Sequence, residues 1–192
     1  MDKMIRWFAL FLGIGIASAA DAHTGLNAGG SLTAGLSHPF SGLDHFLAMV
    51  AVGLWAAQLG GRQLIAVPAA FVSCMALGAL AGALGAPMPY VDSAVVFSVL
   101  ALGLLVAFSV SGIPYWRTAI IAVFGLFHGH AHGAEMPALA QPWQYFGGFL
   151  LATAALHALG VGIGLAFRNR TTLLRACGAA ISVFGVCLIL AT

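Results

Sequence analysis

The chain has 192 residues, of which 61% are hydrophobic and 6% charged, with a mean hydropathy of +1.03. Soluble domains carry roughly 25% charged residues, so this composition predicts an all-α, polytopic integral membrane protein. The net charge of +2 comes from scattered residues without a basic run, which excludes a nucleic-acid-binding surface. The sequence contains no P-loop, no GxGxxG and no HExxH motif, so the chain itself is not expected to hydrolyse ATP.

Residues 1–22 have the features of a secretory signal peptide. Lys3 and Arg6 form a basic start, a short apolar stretch follows, and an A-x-A cleavage site ends at Ala22. The apolar stretch is short for a membrane span, although an uncleaved first span is the alternative. Cleavage would leave 23–192 as one transmembrane domain.

Cleavage after Ala22 would make His23 the first residue of the mature protein. Its free α-amine titrates near pH 7.7–8.0 and its imidazole near 6.5, so both nitrogens can chelate a metal around neutral pH. We therefore expect His23 to assist metal capture, the alternative being that it merely follows the cleavage site. Residues 23–37 are rich in Gly, Ser and Thr and carry no charge, which predicts a loop.

Apolar runs fill the rest of the chain, each close to the ~20 residues that a membrane-spanning helix needs. The six runs lie at about 40–60, 63–85, 91–111, 115–135, 144–167 and 172–191. The five arginines after Arg6 all follow the first, third or fifth run. Because such residues favour the cytoplasmic side, we expect a protein of the bacterial inner membrane with six spans and both mature termini in the periplasm.

Polar residues gather at the end of the fourth run, where three of the seven histidines accompany the only glutamate. On a helix, His128, His132 and Glu135 have i, i+4, i+7 spacing and share an arc of roughly 60°, whereas His130 points to the opposite side. If the segment is extended instead, residues 128, 130 and 132 align, so the orientation of His130 stays open. Ionisable residues inside membrane segments are rare and usually functional. This stripe predicts metal ligation or a proton relay.

An earlier cluster opens the first run and contains His38, Asp44 and His45. If the helix begins early enough, His38, His45 and Met49 share one stripe. Ser41 and Asp44 also match a capping box, so Asp44 could serve only as a helix cap. Because the first run enters the membrane from outside and the fourth returns there, the two clusters are expected to face each other.

Imidazole and carboxylate groups, with an optional thioether, suit a borderline divalent transition metal such as Ni²⁺, Co²⁺, Zn²⁺ or Cu²⁺. Magnesium and calcium, which prefer oxygen ligands, fit poorly. Asp92, at the start of the third run, is a secondary metal-capture candidate or a helix cap. His157 stands alone in the fifth run and is expected to be a packing residue, with function as the alternative.

The two clusters together resemble the paired signature of the HupE/UreJ family of nickel and cobalt permeases. The matching segments are His38-Pro39-x-x-Gly42-x-Asp44-His45 and Phe127-His128-Gly129-x-Ala131-His132-Gly133-x-Glu135. The resemblance covers the whole chain and implies secondary uptake of Ni²⁺ or Co²⁺, supplied to nickel enzymes such as hydrogenase or urease. It implies a metal role for the six motif residues His38, Asp44, His45, His128, His132 and Glu135, and no role for His130.

We therefore expect a permease and not an enzyme, without a tightly bound cofactor. Its expected partners are the transported metal ion, the lipid bilayer and a metal-recipient enzyme or chaperone. The alternative is an intramembrane zinc-dependent hydrolase, in which the metal activates water, but no clear catalytic serine or separate base is present. Haem ligation by paired histidines is disfavoured by the adjacent carboxylates, and a purely structural membrane subunit is the remaining alternative.

Overall fold

The computed structural model of the protein describes residues 30–112 and 114–191, and this part of the chain folds into seven α-helices without strands. The helices are α1 (Ser31–Ser41), α2 (Leu43–Leu59), α3 (Gln63–Ala83), α4 (Val91–Ala107), α5 (Pro114–Ala134), α6 (Pro142–Ala166) and α7 (Thr171–Ala191). The prediction of an all-α fold is confirmed for these residues. The predicted signal peptide and His23 lie outside them.

Helices α2 to α7 begin and end within four residues of the six predicted apolar runs. Three of them, α3, α6 and α7, are individually long and apolar enough to cross a membrane. Helices α1 and α2 would add a fourth span if they are taken together as one broken span, and α4 is apolar but has only 17 residues. The described helices therefore include clear candidates for membrane spans.

The loop predicted over residues 23–37 is wrong for residues 31–37, which are helical and belong to α1. Glycine and serine are poor helix formers, but α1 packs so closely on α6 that a side chain at Gly35 would meet the backbone of Tyr145. Tertiary packing thus overrides the local preference. At Gly42 the backbone is extended, and α1 turns by 82° into α2. His38 and His45 consequently lie on different helices and share no helical stripe.

Glycines allow α3 and α5 to approach backbone to backbone. Side chains at three α5 glycines would collide with the α3 backbone at Phe71, Met75 and Ala79, the glycines being Gly125, Gly129 and Gly133. The recurrence of glycine at every fourth position of α5 therefore permits close packing of the two helices. The same contact holds α5, with its histidines, at a defined depth against α3.

The arginines gather at one end of the helix bundle. The side-chain amide of Gln58, near the end of α2, donates to the carbonyl of Val106 in α4 at 3.0 Å. Arg175, near the start of α7, donates to the adjacent carbonyl of Ala107 at 2.8 Å. The other arginines described stand in or beside the α2–α3, α4–α5 and α6–α7 connections. The bundle therefore has an arginine end, and both polar clusters lie at the opposite end.

Candidate metal site

Helix α1 meets the residue that follows α5 through an imidazole and a carboxylate. Nε2 of His38 lies 3.0 Å from Oε2 of Glu135, and their side chains are 25% and 53% exposed. His132 completes this group, since one nitrogen or carboxylate oxygen of each of the three residues lies within 4.8 Å of the other two. The arrangement offers a metal ion three ligands of suitable chemistry, of which Glu135 and His38 meet the solvent and His132 is buried.

The bond between Asp44 and His45 selects the tautomer of the His45 imidazole. Oδ1 of Asp44 accepts hydrogen bonds from the backbone N–H of His45 at 2.8 Å and from its ring Nδ1 at 2.9 Å. When Nδ1 carries the proton, Nε2 keeps its lone pair, and this buried atom has no hydrogen-bond partner. A carboxylate that orients an imidazole in this way is common beside metal ions.

The capping box predicted for Ser41 and Asp44 is not formed. The hydroxyl of Ser41 donates to the carbonyl of His38 at 2.6 Å. Gly42 is the N-cap of α2, and it makes no side-chain capping bond. Asp44 lies in the first helical turn, where its carboxylate accepts from the ring Nδ1 of His45 as well as from a free backbone N–H of the helix end, so capping accounts for only one of its two bonds.

Two fully buried histidines of α5 extend the group toward the interior. The ring centroid of His45 lies 4.5 Å from that of His132 and 5.1 Å from that of His128. His128 donates through Nδ1 to the carbonyl of Phe124 at 3.0 Å, which leaves its Nε2 without a partner. Neither ring nitrogen of His132 has one. Buried polar atoms are rarely left unpaired, so these nitrogens are available to hold a ligand. We call the six motif residues the histidine–carboxylate site.

Aromatic rings surround this site and restrict the orientation of its imidazoles. Phe149 stacks on His132 with centroids 5.0 Å apart and an interplanar angle of 26°. Tyr145 lies 5.8 Å from His38, and both α6 residues are buried. Neither residue carries a chemical signal of its own in the sequence, although they begin an i, i+4 series on α6 that continues through Thr153 to His157.

Glu135 directly follows the end of α5. The hydrogen bond with His38 lowers the pKa of its carboxyl below the usual value, although partial burial acts in the opposite direction. Glu135 is therefore an anion at neutral pH, which is the form that a divalent cation requires.

Of the remaining candidates, Asp92 and His130 lie apart from the site. Asp92 is exposed in the first turn of α4, whose N-cap is Tyr90. No hydrogen bond or ion pair joins it to another described residue, and its proposed part in metal capture stays a prediction. His130 packs against α3, and its Nε2 donates to the carbonyl of Ala86, just after the end of that helix, at 2.7 Å. Its helical position predicts this orientation.

These features define a helical membrane protein with imidazole and carboxylate groups collected at one end of its bundle. The family model described as HupE / UreJ protein matches residues 10–188, and the chain belongs to this family. The chain is 45% identical over 178 residues to "Protein HupE" of Rhizobium leguminosarum bv. viciae. This alignment covers 92% of this chain and 93% of that protein. No solved structure matches the chain.

The family comparison confirms the resemblance seen in the two motifs. The HupE/UreJ family is a family of transport-type membrane proteins associated with nickel and cobalt. Membership places this chain among transport proteins, and it does not favour the alternative of an intramembrane hydrolase.

Proposed function

We propose that this protein is a secondary permease of the inner membrane that takes up Ni²⁺, or Co²⁺, and supplies nickel enzymes such as hydrogenase or urease. The observation that carries the proposal is the meeting of two distant motifs in one site. Ring centroids follow one another at 4.7 Å from His38 to His132, at 4.5 Å to His45 and at 5.1 Å to His128. The series starts at His38, which is bonded to the half-exposed carboxylate of Glu135, and ends at the fully buried imidazole of His128.

The donor types suit an ion that must leave water. Neutral imidazoles bind a metal without adding charge, and the carboxylates of Asp44 and Glu135 together offset the charge of a divalent ion. This compensation lowers the cost of moving the ion into an apolar environment. Ni²⁺ and Co²⁺ accept nitrogen and oxygen ligands together, so both fit this donor set.

The exposure of the donors suggests the order of the steps. Glu135 and His38 meet the solvent and would bind the ion first, whereas His132 and His128 are fully buried. Exchange of one ligand for the next would release hydration water in stages. Because the sequence holds no nucleotide-binding motif, the driving force would come from an ion gradient, the membrane potential or a separate partner.

In the proposed membrane arrangement, α2 to α7 are the six spans and the arginine end of the bundle is cytoplasmic. The histidine–carboxylate site then opens to the periplasm. Broken helices in transporters commonly place binding groups at their break, and the break at Gly42 separates His38 from Asp44 and His45. This feature supports transport over a purely structural role.

Uptake of radiolabelled nickel by cells with and without the protein tests the proposal. We expect uptake that depends on the protein, competes with unlabelled cobalt and is lost in His132→Ala. His130→Gln is the matched control, because this buried histidine lies on the same helix but faces α3. Equal nickel uptake with and without the protein, at confirmed expression in the membrane, would refute a role in nickel transport.

A further inference from the structure

A buried histidine of α6 lies inside the bundle and belongs to neither motif. His157, in the inner half of α6, is 1% exposed, and neither of its ring nitrogens has a hydrogen-bond partner. One turn earlier, Thr153 is fully buried with an unpartnered hydroxyl. A histidine that serves only packing would be expected to find a partner for its N–H group. Packing alone, the role expected for His157, leaves these two nitrogens without a partner.

The two residues continue a stripe that already lines the histidine–carboxylate site. Tyr145, Phe149, Thr153 and His157 follow i, i+4 spacing on α6, and each is at most 1% exposed. The first member lies beside His38 and the second stacks on His132. Because residues four apart share a helix face, Thr153 and His157 extend the same face toward the arginine end.

The depth of His157 follows from the stacking of Phe149 on His132. Helices α5 and α6 run in opposite directions, and four residues of a helix rise by about 6 Å. Thr153 therefore lies near the level of His128, which is one turn below His132. His157 lies one further turn below, toward the arginine end.

A single aromatic ring connects His128 with His157. The centroid of Phe71, on α3, lies 5.4 Å from that of His128 and 5.2 Å from that of His157. The two imidazoles therefore lie against the same ring. Nε2 of His128 and both nitrogens of His157 remain without partners, so each imidazole beside Phe71 can offer a lone pair to an ion.

Helix packing holds His157 at this depth. A side chain at Gly53 of the neighbouring α2 would collide with the carbonyl oxygen of His157. In the same way, a side chain at Gly160 of α6 would collide with the carbonyl oxygen of Val50 in α2. These backbone contacts prevent α6 from sliding along α2 without a loss of packing. The imidazole is thus kept below His128 and inside the bundle.

We propose that His157, assisted by the hydroxyl of Thr153, is an inner binding station that receives the divalent transition-metal ion from His128. The inference rests on the proposed transport function and extends its path by one helical turn. In the step, the bond from the ion to Nε2 of His128 breaks while a bond to a ring nitrogen of the neutral His157 forms. Only the ion moves, so neither a proton nor an electron has to be supplied. The ring of Phe71, which contacts both imidazoles, would border the path of the ion.

The test is the concentration dependence of radiolabelled nickel uptake in cells that express His157→Leu. Leucine removes both unpartnered nitrogens and preserves an apolar packing group, so a histidine with only a packing role would tolerate it. We expect the maximal uptake rate to fall roughly tenfold or more, because the transfer to His157 is lost. The half-saturation concentration should stay within about twofold of the wild-type value, because the outer residues that capture the ion are unchanged. A wild-type maximal rate in His157→Leu overturns the proposal, and so does a raised half-saturation concentration at an unchanged maximal rate.

A second pair of variants keeps the test decisive if His157→Leu fails to reach the membrane. Thr153→Val removes the hydroxyl and should lower the maximal uptake rate. Thr153→Ser keeps a hydroxyl at this position and should transport at close to the wild-type rate. Equal rates in the two variants would overturn the station. The wild type and His132→Ala serve as references for the transport function. If the wild type takes up no nickel, the transport function itself is refuted. If the wild type transports and the His157 and Thr153 variants transport equally well, only the inner station is refuted.

Discussion

His38 and Glu135 are 97 positions apart in the chain, yet their Nε2 and Oε2 atoms lie 3.0 Å apart. The contact joins α1, which is bent by 82° away from α2, to the residue that ends the α5 histidine stripe. Each partner brings a motif that is incomplete without the other. Their pairing leaves a carboxylate and an imidazole exposed where an ion would enter.

The charge of Glu135 is expected to be essential for capture. Glu135→Gln preserves the size of the side chain and an oxygen that can accept from His38, but it removes the negative charge. We expect nickel uptake at limiting concentration to fall roughly tenfold or more, without loss of protein from the membrane. Uptake assays with immunoblots of membrane fractions measure both. Near-normal uptake by Glu135→Gln would show that its carboxylate is not a ligand.

Asp44→Asn separates metal chemistry from helix capping. Asparagine is an equally good cap, but it is a weaker, neutral acceptor for Nδ1 of His45. We expect the apparent affinity for nickel to fall by about 10- to 100-fold, the range typical of groups that orient a metal-binding histidine. Ser41→Ala is the control, because its hydroxyl bonds only to the carbonyl of His38 and should leave the affinity unchanged. A normal half-saturation concentration in Asp44→Asn would contradict the assigned role.

Close packing between α3 and α5 should tolerate no side chain at Gly129. Its Cβ atom would collide with the carbonyl oxygen of Met75, and such overpacking costs roughly 1–3 kcal/mol or more. Gly129→Val should lower the amount of folded protein in membranes and its thermal stability in detergent. Gly147→Ala is the matched control, since no atom lies within 4 Å of the added group. Equal stability of both variants would argue against the α3–α5 contact.

The membrane topology is testable with reporter fusions. Fusions at Gly61 and Asn169, which lie beside arginines, should report the cytoplasm, and a fusion at Thr192 should report the periplasm. A cytoplasmic signal from the Thr192 fusion would mean that a span is missing or that the signal peptide is retained.

Metal capture by a mature N-terminal histidine stays a prediction, since His23 lies outside the described residues. Sequencing of the purified protein should find His23 as the first residue. His23→Ala should then raise the half-saturation concentration for uptake and leave the maximal rate largely intact. A different first residue removes the chelate, and an unchanged concentration dependence at limiting metal removes its function.

The hydropathy pattern alone located helices α2 to α7, because any segment that must bury its backbone polar groups in an apolar environment has to be helical. The spacing of His128, His132 and Glu135 likewise predicted their common face. The same reasoning predicted that His130 faces away, and it does, toward Ala86. These properties depend on composition and on the period of one helix, both of which are local.

Other features depend on which helices become neighbours, and only the tertiary structure decided them. The helix over residues 31–37 exists because Gly35 packs against the backbone of Tyr145, a contact that no local propensity reveals. The break at Gly42 turned one expected stripe into two helices and directed His38 to Glu135. His157 looked like a packing residue in the sequence, and only the placement of α6 beside Phe71 and His128 left its nitrogens buried and unpaired. Periodicity determines which face of a helix a residue occupies, whereas the partner of that face depends on packing between segments far apart in the chain.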